Sequence, residues 1–259
     1  LPAASAVTIG DETVMLDVTE LVLPYKKMTE MPDSIGQLSA LTCLDVHRNR
    51  LVKLPDSIVD LIALMELKMW DNELSKLPSS IGKLKSLTYL NADNNQLLEL
   101  PSSIGDLTNL TVLTVAQNRL SALPPSIGNL IHLETLNVAA NQLAELPSFI
   151  GNLIHLETLK VASNQLAELP SSIGNLVAIV ELNVSGNQLR KLRSSIGNLV
   201  AIEELSMFNN QLTELPCLND AVVNPERFQI TRRIPLPGDL EKRNFVSRVT
   251  WKRHFAVLG

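Results

Sequence analysis

Residues 133–143 read Leu133-Glu-Thr-Leu136-Asn-Val138-Ala-Ala-Asn141-Gln-Leu143, and 23 positions later residues 156–166 read Leu156-Glu-Thr-Leu159-Lys-Val161-Ala-Ser-Asn164-Gln-Leu166. The asparagine recurs at Asn49, Asn72, Asn95, Asn118, Asn141, Asn164, Asn187 and Asn210, always at a 23-residue step. Around each lies the pattern apolar-x-x-Leu-x-apolar-x-x-Asn-x-Leu, and between these rows runs Leu-Pro-x-Ser-Ile-Gly-x-Leu, as in Leu77-Pro78 to Leu84 and Leu169-Pro170 to Leu176. A fixed period of this length means stacked supersecondary units, none of which can bury its apolar face alone.

Alternation of apolar positions such as Leu136 and Val138 predicts a short strand with period two, its intervening residues pointing the other way. Strands stacked at about 4.8 Å form a parallel sheet whose inward leucines make one continuous aliphatic core. The asparagine falls where the chain leaves the strand. Its side-chain amide can bond backbone groups of neighbouring turns that would otherwise be buried unpaired, so it reads as an internal ladder and not a ligand site. Proline after leucine fixes φ at a turn, and Ser-Ile-Gly leaves room for only a brief helical turn. The outer side is therefore expected to be 3₁₀ or extended. The fold class is an α/β repeat solenoid, an arc with its parallel sheet on the concave side.

These motifs resemble those of leucine-rich repeat proteins over about residues 18 to 216. The Leu-Pro-x-Ser-Ile-Gly-x-Leu half is similar to the 23-residue intracellular type found in Ras-associated repeat scaffolds, Scribble-like polarity proteins and plant intracellular Ras-group relatives; some bacterial repeat proteins use nearly the same unit. The resemblance implies a protein-binding scaffold, with small Ras-like GTPases, phosphatase subunits or other signalling proteins as partners.

Composition narrows the setting. The chain has 259 residues, 45% hydrophobic but only 3% aromatic, so the core must be aliphatic. The net charge of −5 is unevenly spread: residues 1–216 hold 14 Lys/Arg against 23 Asp/Glu, and residues 217–259 hold 8 against 4. An acidic body argues against nucleic acid, whose binding rests on neutralised phosphates. No apolar run approaches the roughly 18 residues of a membrane helix. Two distant cysteines, Cys43 and Cys217, fit a reducing compartment, and a cytoplasmic location is expected. The sequons at Asn109 and Asn183 matter only in a secreted protein.

Three segments are expected. Residues 1–31 form an N-terminal cap and a degenerate first repeat, in which Val18, Leu21, Leu23 and Met28 keep the apolar positions while Lys26 stands where asparagine should be. Val7 to Val14 around Gly10-Asp11 reads as a hairpin cap. Residues 32–216 are the repeats, nine strands in all with the degenerate row. Residues 217–259 leave the period and form a C-terminal cap or begin a further segment; Phe245, Val249, Trp251 and Phe255 alternate as in a strand, while Asp239 could equally cap a short helix. Val59 for glycine, Phe149 for serine and Arg193 for proline depart from the outer consensus and are read as local adjustments.

The period also maps the concave face, because the third, fifth, seventh and eighth positions of each row point outward. Middle rows are bland, rich in Ala, Thr and Ser. His47, Arg48, Glu66, Lys68, Trp70, Asp71, Tyr89 and Asp93 cluster in the N-terminal rows, and Trp, Tyr and Arg among polar neighbours are the signature of an interface hot spot. A smaller group, Glu181, Glu204 and Phe208, marks the other end. The competing reading is that Trp70 only packs against its neighbours in the row; the scarcity of other material to bury it on a concave sheet favours a binding face.

Catalysis finds no support. Cys43 and His47, four apart on one strand, lie about 13 Å apart at 3.3 Å per residue, beyond nucleophile-to-base reach. His132 and His155 are copies in a duplicated unit with no metal-ligand spacing around them, and the glycines recur once per turn without forming a phosphate cradle. The sequence therefore predicts a monomeric, non-catalytic scaffold without cofactors that binds a protein partner. The alternative is the recognition part of a larger enzyme or effector such as a kinase, GTPase or ubiquitin ligase.

Overall fold

The computed structural model describes residues 6–213 and the backbone of a strand at 250–252. A hairpin of β1 (Ala6–Ile9) and β2 (Glu12–Met15) precedes nine three-residue strands, one per repeat: β3 (Glu20–Val22), β4 (Cys43–Asp45), β5 (Glu66–Lys68), β6 (Tyr89–Asn91), β7 (Val112–Thr114), β8 (Thr135–Asn137), β9 (Thr158–Lys160), β10 (Glu181–Asn183) and β11 (Glu204–Ser206). These nine are parallel neighbours in sequence order, each residue pairing with the one 23 positions on. Strand β12 (Thr250–Lys252) adds to β11 in the antiparallel sense. The remaining residues of the segment 217–259, and with them the choice between helix and strand beyond Asp239, lie outside the described residues.

The middle residue of every parallel strand, Leu21 through Leu205, is buried, and its two neighbours face the concave side. Eight outer turns, from Asp33–Gln37 to Ser194–Asn198, are 3₁₀, as the single Ser-Ile-Gly step demands. Their isoleucines meet the strand leucines, so the core is one aliphatic column running the length of the arc. The hairpin closes its first end: Val7, Ile9 and Val14 are buried in the same column, and Lys26, lacking an asparagine's bonds, pairs with Glu12 at 2.7 Å.

The asparagines tie the turns together. Asn141 Nδ2 donates to Val138 O in its own repeat (3.1 Å) and to Val115 O in the one before (2.9 Å), while its Oδ1 accepts from Leu120 N (2.9 Å). The same three bonds recur from Asn49 to Asn210. One buried side chain thus satisfies three backbone groups in two adjacent turns.

The eighth residue of every row lies in the left-handed region, with φ between +52° and +65° from Tyr25 to Asn209. Only one of these nine is glycine, Gly186, so the sequence gives little sign of it. The conformation turns the chain off the strand and aims the eighth N–H at the seventh carbonyl of the following row, as in Ala140 N to Ala162 O at 2.8 Å. An L-residue there costs on the order of 1–2 kcal/mol, less for Asn and Asp.

The three departures on the outer side have separate explanations. A Cβ on Gly105 would lie 2.3 Å from Ser126 O, so stacked outer turns require a residue without a side chain. Val59 occupies this column, buried, and the turn stacked next to it is the shortest, beginning only at Ile81 with Ser80 at φ −100°, ψ 12° where the other turns start from an extended residue. Arg193 adopts φ −71°, ψ 152°, as the prolines do, and pairs with Glu168 at 2.7 Å. Phe149 is simply exposed.

Two substitutions test this construction. Asn141→Ala strands a buried N–H and two carbonyls and is expected to destabilise the chain by about 3 kcal/mol or more in urea unfolding. Ala140→Gly, which relieves a left-handed alanine, is expected to raise stability by up to about 1 kcal/mol.

Candidate functional site

Three rows of the concave face bring the N-terminal candidates together. His47 and Trp70 hold the seventh position of adjacent rows, so parallel stacking superimposes them: their rings lie 4.2 Å apart and 8° from parallel. Tyr25, one row earlier at the eighth position, meets His47 edge-on at 5.8 Å and 74°. Arg48 bridges this column. Its guanidinium carbon lies 4.8 Å from the Trp70 ring centre and 5.2 Å from that of Tyr25, its Nη1 donates to the Tyr25 hydroxyl, and its Nε donates to Asp71 Oδ2 at 3.1 Å. Asn94, again one row on, donates to the other Asp71 oxygen. Bonds to Tyr25 first, then Asp71, raise the Arg48 pKa above its already high ordinary value, so it is always charged.

Beside the ring column runs a polar one. Lys68 Nζ pairs with Glu66 at 2.6 Å and sits 5.8 Å over the Tyr89 ring; its pKa is raised chiefly by the hydrogen bond to Glu66. Asp45 accepts from His47 at both the backbone N–H (3.1 Å) and ring Nδ1 (2.6 Å), which holds the imidazole flat against Trp70. Asp93 accepts from Ala116 N at 2.6 Å. Burial pushes its carboxyl above the ordinary 3.8, and the Ala116 N–H opposes this.

Sequence reading omitted three members of this site, Tyr25, Asp45 and Asn94. Their positions in the columns were legible, but Tyr25 falls in the degenerate row and the short polar residues carry no hot-spot signature. Phe208 does not join the cluster: it lies in the last row, half-buried, six repeats from Trp70. Ala116, Ser185 and Ser206 hold concave positions of the same columns but are small enough to be buried there.

The Cys43 thiol at the edge of this arrangement is not paired with the imidazole. Cys43 Sγ donates to Glu66 Oε2 at 3.8 Å and does not bond His47, and burial raises the thiol's pKa, which disfavours the reactive thiolate. His132 and His155 lie away from the concave sheet, exposed on the flank where outer turns lead into strands, with ring centres 6.4 Å apart. What the site offers is a surface of two stacked rings and a third set edge-on, flanked by fixed charges, all anchored to strand ends or left-handed turns.

Comparison with known proteins agrees with the repeat fold. The family described as leucine-rich repeat region matches residues 17–88, 67–142 and 125–220. Among solved structures, a leucine-rich repeat protein of Leptospira interrogans, LIC12759, is 32% identical over 80% of this chain and 58% of its own, with a TM-score of 0.64. The plant peptide hormone receptor RGFR1, solved in complex with RGF2, is 32% identical over 77% of this chain and 33% of its own, with a TM-score of 0.72. The Arabidopsis receptor kinase HAESA, solved with the peptide hormone IDA and the co-receptor SERK1, is 30% identical over 77% of this chain and 36% of its own, with a TM-score of 0.69. The chain therefore spans about a third to just over half the length of these proteins. No curated protein matches it.

The Asp93 environment has a measurable consequence. Because the folded-state pKa is raised, the folded chain binds the proton more tightly than the unfolded one, and stability falls as pH rises from 3.8 through the folded value. Asp93→Asn keeps an acceptor for Ala116 N without the buried charge. Its melting temperature should exceed that of the wild type at pH 7, the difference shrinking toward pH 4.

Proposed function

Because the chain belongs to the leucine-rich repeat family, we propose that it is a non-catalytic interaction scaffold that takes a protein partner on its concave face, over the N-terminal rows. The observation that carries this reading is the column Tyr25–His47–Trp70 on the concave face, Tyr25 exposed and the other two rings half-buried, cross-braced by Arg48 and Asp71. A surface fixed before contact loses little conformational entropy on binding, so its rings act as anchors. Glu20, Asp45, Glu66, Asp71 and Asp93 outnumber Arg48 and Lys68 around it, which favours a partner presenting positive charge.

The two plant receptors were solved with peptides or a protein co-receptor, which supports a polypeptide partner here. A cytoplasmic signalling role, with a small Ras-like GTPase or another signalling protein as partner, follows the family resemblance of the 23-residue unit. The free thiol of Cys43 is in keeping with a reducing compartment. The scaffold works as a monomer in this reading.

The test is a lysate pull-down comparing the wild type with Trp70→Ala/Tyr89→Ala after confirming similar melting temperatures. The reading expects a partner retained by the wild type and lost by the double variant; equal retention moves the site elsewhere on the chain.

A further inference from the structure

The 23-residue period builds a second surface, independent of the concave face, on the flank where outer turns lead into strands. One column there reads Ser39, Ile62, Lys85 and Thr108 in the earlier repeats, then Ile131, Ile154, Val177 and Val200. The last four are between 49% and 70% exposed. Since serine, lysine and threonine hold the same position in the same fold, stacking does not require aliphatic residues there.

The neighbouring columns change in step. The last residue of the outer turn is Gln37, Asp60, Lys83 and Asp106 in earlier repeats but Asn129, Asn152, Asn175 and Asn198, uniformly asparagine, beside the aliphatic column. On its other side a groove of about 560 Å³ is lined by His132, Glu134, His155, Glu157 and Ala178 among others. Glu134 and Glu157 are exposed, and neither is ion-paired among the described residues. No Lys or Arg occurs from 125 to 135, 148 to 158, 171 to 181 or 194 to 204. A contiguous exposed aliphatic stripe bordered by amides and carboxylates has the make-up of an interface.

We propose that this flank docks a basic amphipathic α-helix of a partner protein. Successive aliphatic knobs stand about 5 Å apart, close to the 5.4 Å pitch of an α-helix, so a helix laid along the column offers one apolar contact per turn over four repeats. Lysines or arginines beside its apolar stripe meet Glu134 and Glu157, which form no ion pair among the described residues. An extended segment fits less well, because its same-face side chains repeat about every 6.6 Å. A second copy of the chain fits less well too: its repeats are acidic, and its described residues contain 3₁₀ turns but no α-helix.

The experiment uses the full chain and fluorescence anisotropy with two labelled 18-residue synthetic helices, each carrying leucines at i, i+3/i+4 and i+7 spacing, one flanked by lysines and the other by glutamates. The lysine helix should bind about tenfold or more tightly than the glutamate helix, Ile131→Thr/Ile154→Thr should weaken it by a similar factor, and Glu134→Gln/Glu157→Gln should flatten its salt dependence. Threonine already stands in this column at Thr108, so the first variant is expected to fold, and its melting temperature checks this. Trp70→Ala should leave binding unchanged. The proposal is overturned if neither helix binds, if both bind equally, if the flank variants have no effect, or if Trp70→Ala abolishes binding. It is also overturned, in favour of self-association, if sedimentation shows a dimer that Ile131→Thr/Ile154→Thr dissociates.

Discussion

Every other feature of this chain depends on the bond set of one buried asparagine per repeat. Three-residue strands and single 3₁₀ turns have too few internal hydrogen bonds to fix a turn on their own. The asparagine amide supplies donors and an acceptor at the corner where water is excluded, and it binds groups from two repeats at once. The geometry works only if the next repeat has the same length, which holds the period at 23 through every departure elsewhere. Where the asparagine is absent, at Lys26, the chain is at its first row and the hairpin covers it.

A rigid period turns sequence columns into surfaces. Residues 23 apart stand one strand spacing apart whatever their chemistry, so selection at one position produces a ladder. On the concave side the ladder at the seventh and eighth positions becomes a ring stack; on the flank it becomes an aliphatic stripe. Neither contributes to the leucine column, and both can vary without disturbing it. The Arg48–Asp71–Asn94 chain shows how adjacent rows also brace each other, since each side chain reaches one row along.

Much of the architecture was legible because it is periodic. Alternation at Leu136 and Val138 set the strand register, Pro-x-Ser-Ile-Gly narrowed the outer side to 3₁₀ or extended, of which the described turns are 3₁₀, and the row from Val18 to Met28 placed the first parallel strand despite its missing asparagine. Features that depend on a neighbour's backbone were not legible. The left-handed eighth residue is occupied by Arg, Asp, Gln, Ala and Ser as well as Asn and Gly, because the inter-repeat hydrogen bonds impose the conformation on whatever stands there. The shortened turn at Ile81 sits beside the repeat in which Val59 replaces glycine, a relation between neighbours that one repeat's own spacing does not show. At the candidate site the column map brought His47, Trp70 and Arg48 into register, but their stacking and the part played by Tyr25 depend on side-chain rotations that no spacing encodes. Phe208 shares the residue type of an anchor without sharing its place.

The central claim is that asparagine-braced stacking presents the N-terminal face fully formed before any partner arrives. Amide hydrogen exchange on the free chain tests it most directly at Leu51, Leu74, Leu97, Leu120, Leu143, Leu166 and Leu189, whose N–H groups donate to the asparagine Oδ1 atoms. The account predicts strong and comparable protection from Leu51 to Leu166, so that the rows carrying His47, Trp70 and Asp71 are as firmly closed as the middle of the arc. Exchange at Leu51 and Leu74 near the unprotected rate, with Leu120 and Leu143 still protected, would contradict it.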